Sequence, residues 1–303
     1  MDRILPLMQR EWLQNRRSWA LLAAIPLAIL LLLSAFGQVQ LDEETRQKIG
    51  EALPLLLAFA SIGITMLITF GIVWFSALVS VSALPRRDHG DRSIEFWLSM
   101  PLSHSASLAV PMGVHLLLVP AAGLMVGLVG GCAVSLLLVN HVIGTSAWLA
   151  LPWGQLLPAA VMLSLRFLFG LVLATMWLSP FILLFMLMTA WFRRWGWVVT
   201  AGLGLGVTVL KHVFGMPLLS DWSAALFKHA GHALVNLGEQ GYHLEGPGDV
   251  LNAIGLVPAW VVEDVGRALR DLASPLLVGG LLLSAGMFAV LVQWRQRGAS
   301  AAG

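Results

Sequence analysis

Six long apolar runs, separated by shorter polar stretches, organise this chain. Crossing a bilayer as a helix takes about 20 mainly apolar residues. On that measure Trp19–Phe36, Pro54–Leu84, Ser107–Val139, Leu165–Trp191, Trp195–Phe214 and Pro275–Trp294 each read as a transmembrane helix. Pro111 and Pro120 are expected to bend the third. Arg193–Arg194 leaves room only for a tight turn between the fourth and fifth. Residues 140–158, with Trp148, Trp153 and two prolines, suit an interfacial segment.

The polar stretches carry patterns of their own. Residues 1–17 interleave Ile4, Leu5, Leu7, Met8, Trp12 and Leu13 with Arg3, Arg10, Arg16 and Arg17. That pattern predicts an amphipathic helix lying on the membrane surface. Residues 215–274 form the one sizeable polar region, with helical patterning in Trp222–Leu237 and again in Val250–Leu272. These two helices are expected to cap the mouth of the bundle or dip into the adjoining leaflet. The expected fold is an all-α integral membrane protein: a single transmembrane domain over residues 1–303, with an interfacial helix at 1–17, a loop at 86–105 and a helical segment at 215–274.

Composition narrows the class. Of 303 residues 58% are hydrophobic and only 11% charged, against about 25% charged in a soluble domain. Lipid accepts apolar side chains on every face of a helix, and a soluble fold has nowhere to hide them. A soluble enzyme is therefore excluded. The net charge of +2 gives no basic field suited to nucleic acid. The single cysteine, Cys132, cannot form an intrachain disulfide.

Orientation follows from the arginines and lysines, which concentrate on the cytoplasmic side of short loops. With both termini inside, Arg3, Arg10, Arg16, Arg17, Arg86, Arg87, Arg92, Arg193, Arg194, Arg295 and Arg297 are all cytoplasmic. Arg46, Lys48, Lys228, Arg267 and Arg270 are outside. Arg166 and Lys211 fall near outer helix ends, where long side chains are expected to snorkel to the headgroups.

The most informative stretch is RRDHGDRSIEFWLSMPLSHSASLAVP, residues 86–111. Asp91 or Ser93 can cap a short helix. Ile94, Trp97 and Leu98 then make one apolar stripe, and Pro101 stops or bends the helix. A short stiff helix with an aromatic stripe and charged flanks suits docking on another protein. The stretch resembles the cytoplasmic loop of ABC-2 type transporter permeases, through Asp91, Arg92, Ser93, Ile94, Phe96, Trp97, Ser99, Met100, Pro101, Leu102 and Ser103. The six spans, surface helix, tight turn and outer segment are similar to that family across the whole chain.

What the resemblance implies is specific. Asp91, Arg92, Ile94, Glu95, Phe96, Trp97 and Met100 would form a coupling helix that binds a separate ABC ATPase. The chain would be the permease subunit of a bacterial inner-membrane exporter, working as a pair of copies among membrane lipids. This chain would bind no cofactor; ATP and Mg would sit in the ATPase. No G-x-x-x-x-G-K-[ST] occurs here, so the nucleotide site must lie elsewhere. No G-x-S-x-G or other catalytic constellation is present, so the chain itself is not expected to be an enzyme. The alternative is a non-transporting scaffold or sensor that binds a cytoplasmic partner through the same 86–105 loop.

Weaker features remain. Ser61, Thr65, Thr69, Ser76 and Ser80 occupy about 100° of one helix face. They are candidates to line a substrate path; the competing reading is close helix packing. Gly123, Gly127 and Gly131 form overlapping G-x-x-x-G units, and Gly202 and Gly206 another, all read as helix-packing faces. His229 and His232 share a helical face, but no Cys or acidic partner completes a metal-binding pattern, so no metal is expected.

Overall fold

The computed structural model describes residues 4–37, 50–90, 103–236 and 247–300. The described residues are almost all helical, with no strand among them. In chain order the helices are α1 (Ile4–Phe36), α2 (Leu53–Gly90), α3 (His104–Val142), a short α4 (Thr145–Leu149), α5 (Trp153–Phe192), α6 (Gly196–His212), α7 (Leu218–Leu234), α8 (Pro247–Asp271) and α9 (Pro275–Ser300). Five stretches are long and apolar enough to cross a membrane: Ile4–Phe36, Leu53–Arg87, His104–Val142, Trp153–His212 and Pro275–Gln296.

The fourth of these stretches folds back on itself. Arg193–Trp195 form a 3-10 turn, and Arg193 takes a φ of 53°, the one positive φ among the described non-glycine residues. Phe185 and Trp197 then meet ring to ring at 4.3 Å. A straight helix would hold them about 18 Å apart. Gly196 permits the reversal, since a Cβ there would lie 2.7 Å from the Thr189 Cα.

Several helices outrun the expected spans. At about 1.5 Å per residue, the 40 residues of α5 measure about 60 Å, twice the hydrocarbon thickness. It starts at Trp153, inside the stretch expected to lie at the interface. α2 likewise runs on through Arg86 and Arg87 to Gly90. α1 continues unbroken from Ile4 to Phe36, with no interruption between residues 17 and 19 where a surface helix would turn into a span. Gln14 to Trp19 holds no glycine or proline to break it.

The bundle alternates direction, and its buried clusters record which ends meet. Leu55, Ala58, Val139, Leu156 and Ile254 pack together at one end. Val81, Leu84, Leu116, Met186, Ala190 and Leu291 pack at the other. The end of α2, the start of α3, the Arg193–Trp195 turn and the end of α9 therefore share one side. The α2–α3 contact is the most extensive between helices: Gly127 and Gly131 let α3 touch the backbone of α2, and a Cβ on either would lie 2.8 Å from the Cα of Met66 or Ile62. Small residues provide this approach because lipid supplies no hydrophobic force between apolar helices.

Candidate functional site

The side shared by the ends of α2 and α9 holds a buried ionic cluster drawn from three helices. Glu11 of α1 is 1% exposed. Its carboxylate accepts two hydrogen bonds from the Arg87 guanidinium of α2, one of them at 2.9 Å and the other shorter. His115 of α3 brings Nε2 to 3.3 Å from the same carboxylate. Two parallel N–H donors from arginine to carboxylate make the strongest common ion-pair geometry. The Trp19 ring meets His115 edge-on at 5.3 Å, and Trp12 lies 5.9 Å beyond it.

His115 reaches Glu11 from a local defect in α3. Val114–Leu118 form a π turn, closed by the Val119 N–H donating to the Val114 carbonyl. Pro120 has no N–H to give the Leu116 carbonyl, so the ordinary register fails there and the widened turn takes up the slack. The expectation of a bend near Pro111 and Pro120 thus becomes a one-residue bulge. At the head of the same helix Ser103 caps His104, its Oγ accepting from the Ala106 N–H at 3.2 Å.

Two cavities flank the cluster. One, of about 500 Å³, is apolar and lies against Met8, Trp12, Trp19, Val73, Val119 and the stem of Arg16. The other, of about 390 Å³, is lined by Asn15, Ser80, Arg86, Arg87 and His115, and carries more positive than negative charge. Together the cluster and cavities tie the base of α1, the last turn of α2 and the bulge of α3 into one unit.

A second buried charge pair stands at the opposite end. Arg166 of α5 donates from Nε to Asp264 Oδ2 of α8 at 2.7 Å, and neither side chain is more than 1% exposed. Its Nη1 donates to the carbonyls of Ala233 at 2.7 Å and Leu234 at 3.1 Å, and Nη2 to that of His232 at 3.3 Å. Arg166 therefore does not snorkel to a headgroup. It turns inward and satisfies carbonyls left open at the end of α7. Lys211 does stay at the surface, where its ammonium holds the exposed Asp221 carboxyl below the ordinary carboxylate value through a 3.0 Å hydrogen bond.

The residues singled out from sequence divide. Asp91, Arg92, Ile94, Glu95, Phe96, Trp97 and Met100 lie outside the described residues. Ser61, Thr65 and Thr69 are buried within the bundle, and Ser76 and Ser80 are half-buried. Ser61 and Ser80 bond back to the carbonyls of Ala58 and Ser76 in their own helix. Thr65 presents its backbone carbonyl to Gly127, so this part of the stripe packs helices together. Only Ser80 joins the polar cavity. Gly202 and Gly206 face open space, with nothing among the described residues within 4 Å of a Cβ placed there.

Glu11, His115 and the Arg166–Asp264 pair were not proposed as a site from sequence. For His115 and Arg166 the available signal was an ionisable side chain inside an apolar run, which favours a buried partner; Glu11 and Asp264 lie in amphipathic stretches that carry no such signal. Comparison with protein-family models, with curated proteins and with solved structures gives no match for this chain.

Proposed function

We propose that this chain is the membrane-spanning permease subunit of an ATP-driven exporter of the ABC-2 type. In this reading α5 and α6 count as two spans, giving six in all, with both termini in the cytoplasm of a bacterial cell. Two copies form the substrate path, and a separate ATPase, holding ATP and Mg, docks on Asp91–Met100.

The observation that carries the proposal is where that segment is rooted. Its motif leaves α2 at Gly90 and rejoins the bundle at the Ser103 cap, on the side that holds the Glu11–Arg87–His115 cluster. Arg87 lies four positions before Asp91. A push on the docking segment would therefore reach three helices through one guanidinium. Coupling of this kind needs an element that both sites bias, and a buried ion pair at the root of the segment supplies one. Gly202 and Gly206, open to the outside on α6, leave a face suited to a second copy.

The test is docking itself. A buried aromatic anchor typically accounts for about 2 kcal/mol of an interface, so Trp97→Ala should weaken ATPase binding roughly thirtyfold. The tagged full chain, drawn from its own membranes in mild detergent, should co-purify ATPase activity that the variant loses while its helical content stays unchanged. Full ATPase retention and full turnover in the Trp97 variant would refute the proposal.

A further inference from the structure

We propose that the cleft between α7 and α8 is a binding site for a phosphate group. The inference rests on the geometry of these two helices and does not depend on the exporter reading.

The cleft is a built feature. Arg166 pins its two walls, donating from Nη1 and Nη2 to the last carbonyls of α7 and from Nε to Asp264 of α8. Gly170 on α5 leaves the room this requires: a Cβ there would lie 2.6 Å from the Leu234 carbonyl oxygen and 2.8 Å from Arg166 Nη1. Between the pinned walls lies a space of about 460 Å³, within the roughly 300–1,000 Å³ of small-molecule sites.

Its lining carries more positive than negative charge. α7 contributes Lys228, His229 and His232, and α8 contributes Arg267, Arg270 and Asp271. Arg267 is already engaged by Glu263 and Asp264. Among the described residues Lys228 and Arg270 have no carboxylate partner. The nearest acid, Asp271, lies 3.8 Å from His229 Nδ1, too far for a hydrogen bond, and that nitrogen is buried with no hydrogen-bond partner. The His229 ring cannot turn freely to find one, because it stacks on Trp177 at 4.5 Å and 11°. An ammonium, a guanidinium and a fixed imidazole around one space favour an anion with several acceptor oxygens.

Two sources can bring that group: a phospholipid headgroup or a soluble phosphate ester. The helix surfaces favour the lipid. Leu218, Leu219 and Phe227 on α7 and Leu256, Val262 and Leu269 on α8 are all exposed. Such faces bury into the headgroup and acyl boundary of a leaflet, which brings the cleft to phosphate level.

The full chain in nanodiscs, carried into native mass spectrometry, provides the test. Discs of phosphatidylcholine alone are compared with discs containing phosphatidylglycerol, and inorganic phosphate is titrated into both. The variant is Lys228→Gln with Arg270→Gln; both side chains are exposed, so the fold is expected to survive. Each cation near a membrane phosphate contributes about 1 kcal/mol, so the double variant should retain phosphatidylglycerol about thirtyfold less well. Lys211→Gln removes one charge outside the cleft lining and should leave retention unchanged. Retention of phosphatidylglycerol that added phosphate does not displace marks a lipid headgroup. Displacement by phosphate, or phosphate binding in phosphatidylcholine discs, marks a soluble phosphate ester. Equal retention in wild type and double variant, or no binding of either probe, would overturn the proposal.

Discussion

Asp264→Ala should destabilise this protein more than Glu11→Ala, although both remove a carboxylate from an arginine. The difference lies in what each arginine can do afterwards. Arg166 is wholly enclosed and Arg87 is 24% exposed. Without Asp264, the Arg166 guanidinium keeps its three carbonyl acceptors but loses its counter-charge in a low-dielectric setting. Breaking a buried pair in this way costs about 3–5 kcal/mol. Without Glu11, Arg87 can turn toward water, and the cost falls to about 1.5–3 kcal/mol, that of hydrogen bonds to a charged group. At about 2 °C per kcal/mol for a chain of this size, the melting temperature should fall by ~6–10 °C and ~3–6 °C respectively. Thermal unfolding in one detergent, followed by intrinsic fluorescence, reads both; Trp177, 1% exposed beside α7, is one of the 13 tryptophans that contribute to the signal. Replacing both partners, Arg166→Met with Asp264→Leu, should recover part of the loss: no charge is then stranded in the interior, although the Ala233, Leu234 and His232 carbonyls lose their donor. A smaller drop for Asp264→Ala than for Glu11→Ala, or no recovery in the double variant, would refute the reasoning.

The two glycine motifs should separate cleanly. Gly127→Val drives a side chain into the Met66 backbone and should cost about 1–3 kcal/mol in the same melting assay, whereas Gly206→Val meets open space and should leave melting unchanged while lowering the fraction of paired chains seen by light scattering. Topology is open to single cysteines placed at Lys48, Gly90, Arg194, Gln240 and Ser300 in a Cys132→Ser background: in intact cells an impermeant reagent should label only those at Lys48 and Gln240, and labelling at Gly90 would end the six-span arrangement.

The helices were legible because their signal is local. A run of about 20 apolar residues needs no partner to declare itself, and the Arg193–Arg194 pair marked the reversal that the structure places at Arg193–Trp195. The two amphipathic helices of residues 215–274 also fell close to expectation, at Leu218–Leu234 and Pro247–Asp271. Pairings across the chain were not legible. Glu11 meets a residue 76 positions away and another 104 away, and nothing in the residues around Glu11 encodes that distance. Arg166 was read as snorkelling because its position near a helix end allows two answers; the choice depended on Asp264 and on the open carbonyls of α7. The pattern of residues 1–17 leaves the same choice open. Alternating apolar and basic positions suit a helix lying on lipid, and they equally suit one that buries Leu7 and Glu11 against α2 and α3.

The distribution of buried charge and close glycines follows one physical requirement. Apolar helices in lipid gain nothing from hiding their side chains from one another, so contacts must come from backbone approach or from polar bonds. α2 and α3 use the first, through Gly123, Gly127 and Gly131. α1 is fastened by Glu11, and α7 and α8 by Arg166. α6 is fastened at its ends, by Gly196 against Thr189 and by Lys211 against Asp221; Gly196 is its only buried residue, and Trp197, Val198, Leu203 and Leu205 are exposed along it. Its three glycines, Gly202, Gly204 and Gly206, are spaced for close approach and approach nothing among the described residues. An exposed small-residue face of this kind suits the close approach of another helix, and in the proposed exporter that helix would come from a second copy.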